Sequence, residues 1–86
     1  MQSQSETVSQ IVAEIARSLG HSPDAVPAQI DEAAAATVLN VKKATLGNWR
    51  CTGRYALPYV KAGRLVRYRV QDLAEWIAKR RTGAEG

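Results

Sequence analysis

The apolar spacing within residues 41–69 changes from that of a helix to that of a pair of strands. Leu46 and Trp49 lie three apart in 42–52, a segment long enough for about three helical turns, so both side chains are predicted to point inward. Residues 59–68 then follow a period of two, interrupted by a glycine turn at Ala62-Gly63. This pattern is typical of a short β-hairpin with arginines on one strand face. The stretch therefore predicts a helix followed directly by a hairpin.

The same stretch is strongly basic and contains no acidic residue. The nearest carboxylates are Glu32 before it and Asp72 after it, so we expect no residue close in sequence to neutralise its charges. Such a positive field attracts polyanions, and nucleic acid is the natural partner. A basic helix followed by a basic hairpin indicates a winged helix-turn-helix, mainly α with one small β-hairpin. The eight cations are Lys42, Lys43, Arg50, Arg54, Lys61, Arg64, Arg67 and Arg69.

Length and composition limit the other possibilities. The 86 residues allow one small domain with a modest core. No apolar run approaches the roughly 20 residues needed to cross a bilayer. Residues 1–10 also lack the basic and apolar parts of a secretory signal. We therefore expect a cytoplasmic protein without membrane contact.

Cysteine and histidine are too scarce for the usual catalytic or metal sites. Cys51 is the only cysteine and His21 the only histidine, which excludes an intramolecular disulfide and a metal cluster of the usual ligand types. The common pairings of nucleophile and base are missing for the same reason. We expect no enzyme activity, no cofactor and no small-molecule substrate, and we interpret His21 as a solvated loop residue.

Charge and composition divide the chain into parts. Residues 1–30 carry one cation and three anions, a net charge of −2, whereas residues 31–86 carry eleven cations and five anions, a net charge of +6. The basic function therefore belongs to the second part. The predicted organisation is a disordered tail over 1–6, an amphipathic helix over 7–20, a linker over 21–29, a winged helix-turn-helix domain over 30–81 and a C-terminal tail over 82–86.

The N-terminal helix is predicted from a capping box and an apolar stripe. Thr7 and Gln10 form a T-x-x-Q box, and Gly20 stops the pattern. The stripe is predicted to cover the core of its own domain, with docking on a neighbouring subunit or another protein as the alternative. Its members are Val8, Ile11, Val12, Ile15 and Leu19.

The segment from Ile30 to Leu39 predicts the first helix of the helix-turn-helix. Asp31 is suited to cap it, Glu32 favours its positive end, and the run of alanines lets a second helix approach closely. Asn40 lies where the chain must reverse, a position suited to the left-handed conformation that asparagine tolerates.

Helical spacing returns over 70–80, after the hairpin. Val70, Leu73 and Ile77 recur on one side of this last helix. Trp76 is predicted to pack against Trp49 in the core, and neither ring is expected to stack on bases. The cations at the end of the helix suit its negative pole or contact phosphates, and they are Lys79, Arg80 and Arg81.

Together these fragments make residues 30–80 resemble the small excisionase-type domains of phages and integrative elements, which are winged helix-turn-helix domains similar to those of MerR. The matching motifs are the alanine-rich first helix, the turn Leu39-Asn40-Val41, the T-L-x-x-W of 45–49, the Y-V-K-x-G-R-x-V-R-Y-R of 59–69 and the D-L-x-x-W-I of 72–77.

Two positions depart from the family pattern. Lys42 stands where a serine cap often begins the second helix, and Gly47 stands where a large polar residue often faces the groove. Glycine inside a helix costs about 1 kcal/mol relative to alanine. We interpret Gly47 as an outward position that permits close backbone approach to DNA or gives weak base readout.

The predicted binding mode places 42–52 in the major groove and the hairpin tip in the adjacent minor groove, with Arg64 inserted there. Lys43, Thr45 and Asn48 are candidates for base or nearby phosphate contacts. The candidates for phosphate contacts are Lys42, Arg50, Arg54, Lys61, Arg67 and Arg69.

The resemblance implies a recombination directionality factor, bacterial and nucleoid-associated, that binds double-stranded DNA. Such proteins bind arrays of sites, self-associate on DNA, bend it and steer a partner integrase toward excision of a mobile genetic element. A transcriptional regulator of the same family is the nearest alternative, and the lack of an effector-binding domain favours the excision role. More distant alternatives are a protein-interaction adaptor and an RNA-binding module, the latter opposed by the lack of exposed aromatics at stacking intervals.

Overall fold

A computed structural model of the protein describes residues 4–80. Two single-turn 3-10 segments, Pro23–Ala25 and Arg54–Ala56, lie in the connections between its main elements. These elements are, in chain order, helix α1 (Gln4–Ser18), strand β1 (Gln29–Asp31), helix α2 (Glu32–Leu39), helix α3 (Lys43–Thr52), strands β2 (Val60–Ala62) and β3 (Leu65–Arg69), and helix α4 (Val70–Arg80). The three strands form one antiparallel sheet in the order β1-β3-β2. The predicted fold class, mainly helical with a winged helix-turn-helix, is confirmed.

Helices α2 and α3 form the helix-turn-helix, and their termini follow the sequence. Asp31 accepts a hydrogen bond from the backbone N–H of Ala34 at 2.8 Å, as expected of an N-cap. Asn40 has φ of 58° and ends α2 in the left-handed conformation, as predicted. Lys42 precedes α3 without a capping hydrogen bond from its side chain. This helix begins with uncapped N–H groups beside two lysines, an arrangement that favours an anion from outside.

Strand β1 was not predicted. The sequence analysis assigned Gln29 to a linker and Ile30 to the start of a helix, whereas both lie in a strand paired with β3. Ile30 lies opposite Tyr68 in this ladder, and both are buried. A strand of three residues is too short to show a period, and it exists because β3, distant in sequence, supplies its hydrogen bonds.

Helix α1 begins earlier than the sequence indicated. The predicted tail over 1–6 is wrong for residues 4–6, which are helical, and Thr7 therefore lies inside the helix and does not cap it. Glu6 occupies the first turn, where a negative charge suits the helix dipole and supports the extra turn. Gly20 follows the helix with φ of 82°, which agrees with the predicted stop. Residues 1–3, Arg81 and the predicted tail over 82–86 lie outside the described residues.

Helix α1 packs against α4 and completes the core of its own domain. Its apolar stripe is buried at Val8, Ile11 and Ile15, and Ala16 lets the two helices approach closely. Burying each large aliphatic side chain contributes roughly 1.5–3 kcal/mol. The prediction that this helix covers its own core is confirmed, so α1 holds α4 and the sheet in position behind the helix-turn-helix.

Three side chains at the centre of the core join the helix-turn-helix to the sheet and to α4. Leu46 of α3, Tyr68 of β3 and Leu73 of α4 are the largest fully buried side chains. Trp49 packs against this core, and its ring centroid lies 6.5 Å from that of Trp76, so the predicted contact between the two rings is confirmed. Trp76 itself lies outside the core, and both rings stay partly exposed.

Candidate nucleic-acid interface

Helix α3 presents a narrow exposed face of small and polar residues. Lys43, Ala44, Asn48 and Cys51 are exposed there, as the helical spacing predicted. Thr45, a predicted base or phosphate contact, is half-buried. The face therefore offers little side-chain volume, and Asn48 and Lys43 are its main polar groups.

Gly47 does not lie on this open face, and the prediction that it points outward is wrong. It is half-buried, and a Cβ atom placed on it would lie 3.5 Å from Oε1 of Glu32, in ordinary contact. The glycine lies on the side of α3 that faces α2. A methyl group would fit there in ordinary contact, whereas a longer side chain would meet the ion pair that joins these two helices.

The carboxylate of Glu32 lies at the junction of three elements. Arg50 of α3 donates from Nε to Oε2 of Glu32 at 2.9 Å, and its Nη2 lies 3.4 Å from Oε1. The hydroxyl of Tyr68 in β3 donates to the same Oε2 at 2.7 Å. Two donors on one partly buried carboxylate fix α3 relative to the sheet, because each hydrogen bond restricts the position of both elements.

This arrangement changes the acidity of all three groups. The hydrogen bond from Arg50 holds the pKa of Glu32 below its usual range, although partial burial opposes the effect. Burial, and then the hydrogen bond to Glu32, raise the pKa of Tyr68 well above its ordinary value. The hydrogen bond to Glu32 raises the pKa of Arg50 further. At neutral pH the site holds a carboxylate, a guanidinium and a neutral phenol.

The expectation that no carboxylate close in sequence neutralises the basic stretch is wrong at Arg69, and the fold brings a carboxylate distant in sequence to Arg50. Arg50, a predicted phosphate contact, is paired with Glu32, and its side chain is only 20% exposed. Arg69, also a predicted phosphate contact, lies 3.6 Å from Asp72 in a more exposed pair. The two carboxylates that flank the stretch in sequence are the ones that fold back onto it. Arg50 thus has a structural task at the base of the interface.

The remaining six cations of the stretch make no ion pair with any residue in the described range 4–80. Within this set Arg67 donates to the backbone carbonyl of Val66 at 3.2 Å. The set consists of Lys42, Lys43, Arg54, Lys61, Arg64 and Arg67. All except Arg67, which is half-buried, are exposed. An uncompensated group of this size is the electrostatic footprint expected of a surface that binds a polyanion.

A groove runs between the start of α3 and the hairpin, and it collects three of these cations. Lys43 lines it from α3, and Arg64 and Arg67 line it from the hairpin. Asp31, Glu32 and Arg50 also line it, so that four cations face two carboxylates and the groove keeps a net positive charge. Leu65 lines the same groove between the two arginines. We call it the cationic groove. Lys43 belongs both to this groove and to the exposed face of α3.

The hairpin is a short wing with a tight turn. Ala62 pairs with Leu65 across the turn, and Gly63 has φ of 61°. Glycine with positive φ at the first of two turn residues is typical of a type II′ hairpin turn. The second turn residue is Arg64, which lies exposed at the tip as predicted. Lys61 is exposed on the opposite side of the sheet from Leu65, because alternate residues of a strand face opposite sides.

The connection from α3 to the wing is strained and held by α4. Tyr55 and Ala56 have φ of 66° and 52°, which is unusual for residues other than glycine. The carbonyl of Tyr55 accepts hydrogen bonds from Nε1 of Trp76 at 2.8 Å and from Nη2 of Arg80 at 2.7 Å. The Tyr55 ring contacts Trp49 edge-on, with centroids 4.7 Å apart. These contacts determine where the wing leaves α3.

Arg54, a predicted phosphate contact, and Arg80, for which helix dipole and phosphate were the two alternatives, lie at this connection. Arg54 places its guanidinium 5.3 Å from the centroid of the Tyr55 ring and stays exposed. Arg80 lies over the ring of Trp76 at 4.1 Å while it donates to Tyr55. This internal contact of Arg80 was not predicted from the sequence.

Sequence reasoning also missed Glu32 and Leu65 as parts of the site. Glu32 carries a recognisable signal, since it is the last carboxylate before Asp72 and lies next to the predicted cap. Leu65 carries a weaker one, an apolar residue between two arginines at a predicted tip. Their places in the site depend on how α2, α3 and the wing pack together, which the local sequence does not show.

Other kinds of site find little support in the described part of the chain. Over residues 4–80 there is no group of three or more histidine, cysteine, aspartate or glutamate side chains placed to hold a metal ion. In the same range no helix has the length and apolar character required to span a bilayer.

Helices α2 and α3, with the wing packed beside them, define the chain as a winged helix-turn-helix protein of the DNA-binding class. A scan against family models matches the helix-turn-helix domain family over residues 29–81, and the chain belongs to that family. The match starts at β1 and leaves α1 outside. Comparisons with curated proteins and with solved structures gave no significant match.

Proposed function

We propose that this protein is a DNA-bending accessory factor that directs an integrase toward excision of a phage or integrative element. The observation that carries the proposal is the cationic groove, in which Lys43 of α3 and Arg64 and Arg67 of the wing line one channel beside an exposed helix face. A continuous basic surface that includes a helix and a wing fits duplex DNA better than it fits a single strand.

In the proposed complex α3 lies in the major groove and the wing tip reaches the adjacent minor groove. Asn48 and Lys43 contact base edges or nearby phosphates, and Arg64 enters the minor groove, where narrow A·T-rich segments attract arginine. Lys42, Arg54, Lys61 and Arg67 contact phosphates. Arg50 and Arg69 contribute less, because carboxylates already compensate their charges.

The size of the interface limits what one copy achieves. Neutralising about six phosphates gives a slope of log affinity against log salt near −5. A single module of this kind buries only roughly 600–1,000 Å². Base readout is modest because the exposed face of α3 carries Ala44 and Cys51 beside Asn48.

Several copies bound side by side would compensate for weak readout, because contacts between neighbours add affinity without new base contacts. Wings in successive minor grooves would bend the DNA. The bend and the array are what an integrase would recognise. The factor itself acts without catalysis, in the bacterial cytoplasm and on the nucleoid. This part of the proposal is supported by the resemblance of residues 30–80 to excisionase-type domains.

The decisive experiment is a gel-shift titration with circularly permuted duplexes from the DNA that flanks its own gene and any nearby attachment site. Stepwise cooperative complexes whose mobility depends on the position of the site support the proposal. One discrete, unbent complex at a promoter would identify a transcriptional regulator instead. Failure to bind duplex DNA below micromolar concentration at low salt would favour the protein-interaction adaptor.

A matched pair of variants shows whether the cationic groove carries the binding. The double variant Lys43→Ala/Arg67→Ala removes two charges that line the groove. Arg17→Ala removes a charge from the last turn of α1, outside the groove. The groove variant should lose affinity strongly at moderate salt, whereas the α1 variant should bind like the parent protein. Equal losses would mean that only net charge matters.

A further inference from the structure

The wing tip displays a large apolar side chain that the protein itself leaves uncovered. Leu65 is 56% exposed, the highest value among the large hydrophobic residues of the described chain. It follows the wing turn directly and lies opposite Ala62, whose methyl group covers little of it. A leucine in this position does not serve the core, because the buried residues of β3 are on the other face of the sheet.

The surroundings of Leu65 indicate which kind of partner covers it. Arg64 precedes it in the turn, and together with Arg67 and Lys43 it lines the cationic groove. Asp31 and Glu32 line the same groove, but its four cations outnumber these two carboxylates. An apolar group beside this net positive charge fits a partner that presents apolar surface between anionic groups. Duplex DNA does so in its minor groove, where deoxyribose rings and base edges lie between two rows of phosphates. An apolar protein surface would have to be acidic at its rim to compete.

We propose that Leu65 is an apolar wedge that enters the minor groove beside Arg64 and partly unstacks one base step, and that this produces the bend. The inference rests on the proposed function, since it assumes that the wing meets the minor groove. Apolar side chains inserted between base steps kink DNA by about 20–90°. Arg64 would bind in the minor groove through its positive charge, and Leu65 would separate the two stacked base pairs.

The test compares two substitutions on the same face of the wing. Leu65→Ser removes the wedge, and Val60→Ser makes the same chemical change in β2, where Val60 is 37% exposed and does not line the cationic groove. The bend is measured by energy transfer between dyes at the two ends of a duplex. Base unstacking is measured by the fluorescence of 2-aminopurine placed at each step of the wing site in turn.

The parent protein and Val60→Ser should bend the duplex and raise the 2-aminopurine signal at one step. Leu65→Ser should lower the bend by at least about 20°, abolish that signal, and keep the same salt slope because no cation is lost. Leu65→Met should restore both signals, since methionine is also an effective wedge. Circular dichroism checks that each variant is folded. If Leu65→Ser does not fold, Leu65→Thr is used in its place, because threonine is β-branched and favours a strand.

The outcomes separate the wedge from the proposed function. If the parent bends DNA and both Leu65→Ser and Leu65→Thr bend it equally, the wedge is overturned while the DNA-bending role stands. If the parent protein binds DNA without bending it, both the DNA-bending function and the wedge function of Leu65 are refuted. If the parent bends DNA with no 2-aminopurine change at any step, bending comes from the array of bound copies and Leu65 has no wedge function.

Discussion

Nε of Arg50 lies 2.9 Å from Oε2 of Glu32, so helix α3 is tied to the first residue of helix α2. Eighteen residues separate the two in sequence, and the turn between α2 and α3 brings them together. The pair uses a cation that would otherwise add to the DNA-binding charge. We infer that Arg50 serves to orient α3 and not to contact phosphate.

Replacing Glu32 with glutamine should lower stability at neutral pH. The amide keeps the size of the side chain but loses the charged hydrogen bond from Arg50, and such bonds contribute about 1.5–3 kcal/mol. Urea denaturation at pH 7 measures the difference. Glu14→Gln on the exposed side of α1 is the control, and its unfolding free energy should change by less than about 0.5 kcal/mol.

The same variant should also change the response to acid. Because the pKa of Glu32 is lowered in the folded state, its ionised form stabilises the fold at any pH above the ordinary value of about 4.3. This contribution is lost as the pH falls through the lowered pKa. The stability gap between the parent and Glu32→Gln should therefore narrow in acid. A gap that stays constant from pH 7 to acid would show that the ion pair does not stabilise the fold.

Tyr68→Phe addresses the second donor to Glu32. Loss of the hydroxyl removes one hydrogen bond inside the core and should lower stability by about 0.5–1.5 kcal/mol, with α3 still held by Arg50. Tyr59→Phe is the matched control, because that tyrosine is 44% exposed. A loss as large in Tyr59→Phe as in Tyr68→Phe would refute the role of the buried hydroxyl.

Alkaline unfolding gives Tyr68→Phe a second readout. The pKa of Tyr68 is raised by burial, so the neutral phenol stabilises the fold below the ordinary tyrosine pKa of about 10, and this contribution is lost as the pH rises toward the raised value. The parent should therefore lose more stability than the phenylalanine variant as the pH rises above 10. Urea midpoints measured at intervals above neutral pH report the difference.

Local signals in the sequence predicted most of the helix-turn-helix. Asp31, Asn40 and the glycine of the wing turn each occupy the place that their own chemistry favours, and the structure confirms all three. Strand β1 and the early start of α1 were not predictable in this way. A three-residue strand depends on a partner distant in sequence, and no local period reveals it.

The strained connection is the clearest case of tertiary contacts that override local preference. Nothing in Arg54-Tyr55-Ala56 favours positive φ, yet two of the three residues adopt it. Hydrogen bonds from Trp76 and Arg80 to the carbonyl of Tyr55, and the contact with Trp49, hold the segment there. The predicted pairing of the two tryptophan rings is confirmed, but Trp76 lies outside the core, and its hydrogen bond to the carbonyl of Tyr55 was not predicted.

Ala56→Gly should test this strain. Alanine in the left-handed conformation costs roughly 1–2 kcal/mol of folding free energy, and glycine removes that cost. Glycine also makes the unfolded chain more flexible, which lowers the stability of the folded state by about 0.4–1 kcal/mol. The net effect should lie between neutral and a stabilisation of about 1.6 kcal/mol. Ala44→Gly, at an exposed position within α3, should destabilise by about 1 kcal/mol. Thermal or urea unfolding that ranks the two variants equally would show that Ala56 is not strained.

At the interface, the basic surface as a whole was predicted from the sequence, but the separate functions of its cations were not. Eight cations in a stretch without acid looked equivalent, and the fold makes Arg50 structural while bringing Lys43, Arg64 and Arg67 into one groove. That division depends on which side of α3 faces α2 and on the register of the wing. Neither is encoded in the local charge pattern.

Arg64→Ala and Arg50→Ala should therefore fail in different ways, although each removes one arginine from the same basic stretch. Arg64→Ala should reduce the bend and lower the salt slope of DNA binding by about 1, with unchanged thermal stability, because Arg64 is exposed and makes no ion pair within residues 4–80. Arg50→Ala should lower the unfolding free energy first, because it leaves the half-buried carboxylate of Glu32 without its cation. Binding titrations at several salt concentrations, combined with thermal melts, separate the two effects. If Arg64→Ala binds and bends DNA like the parent protein, the wing tip does not enter the minor groove.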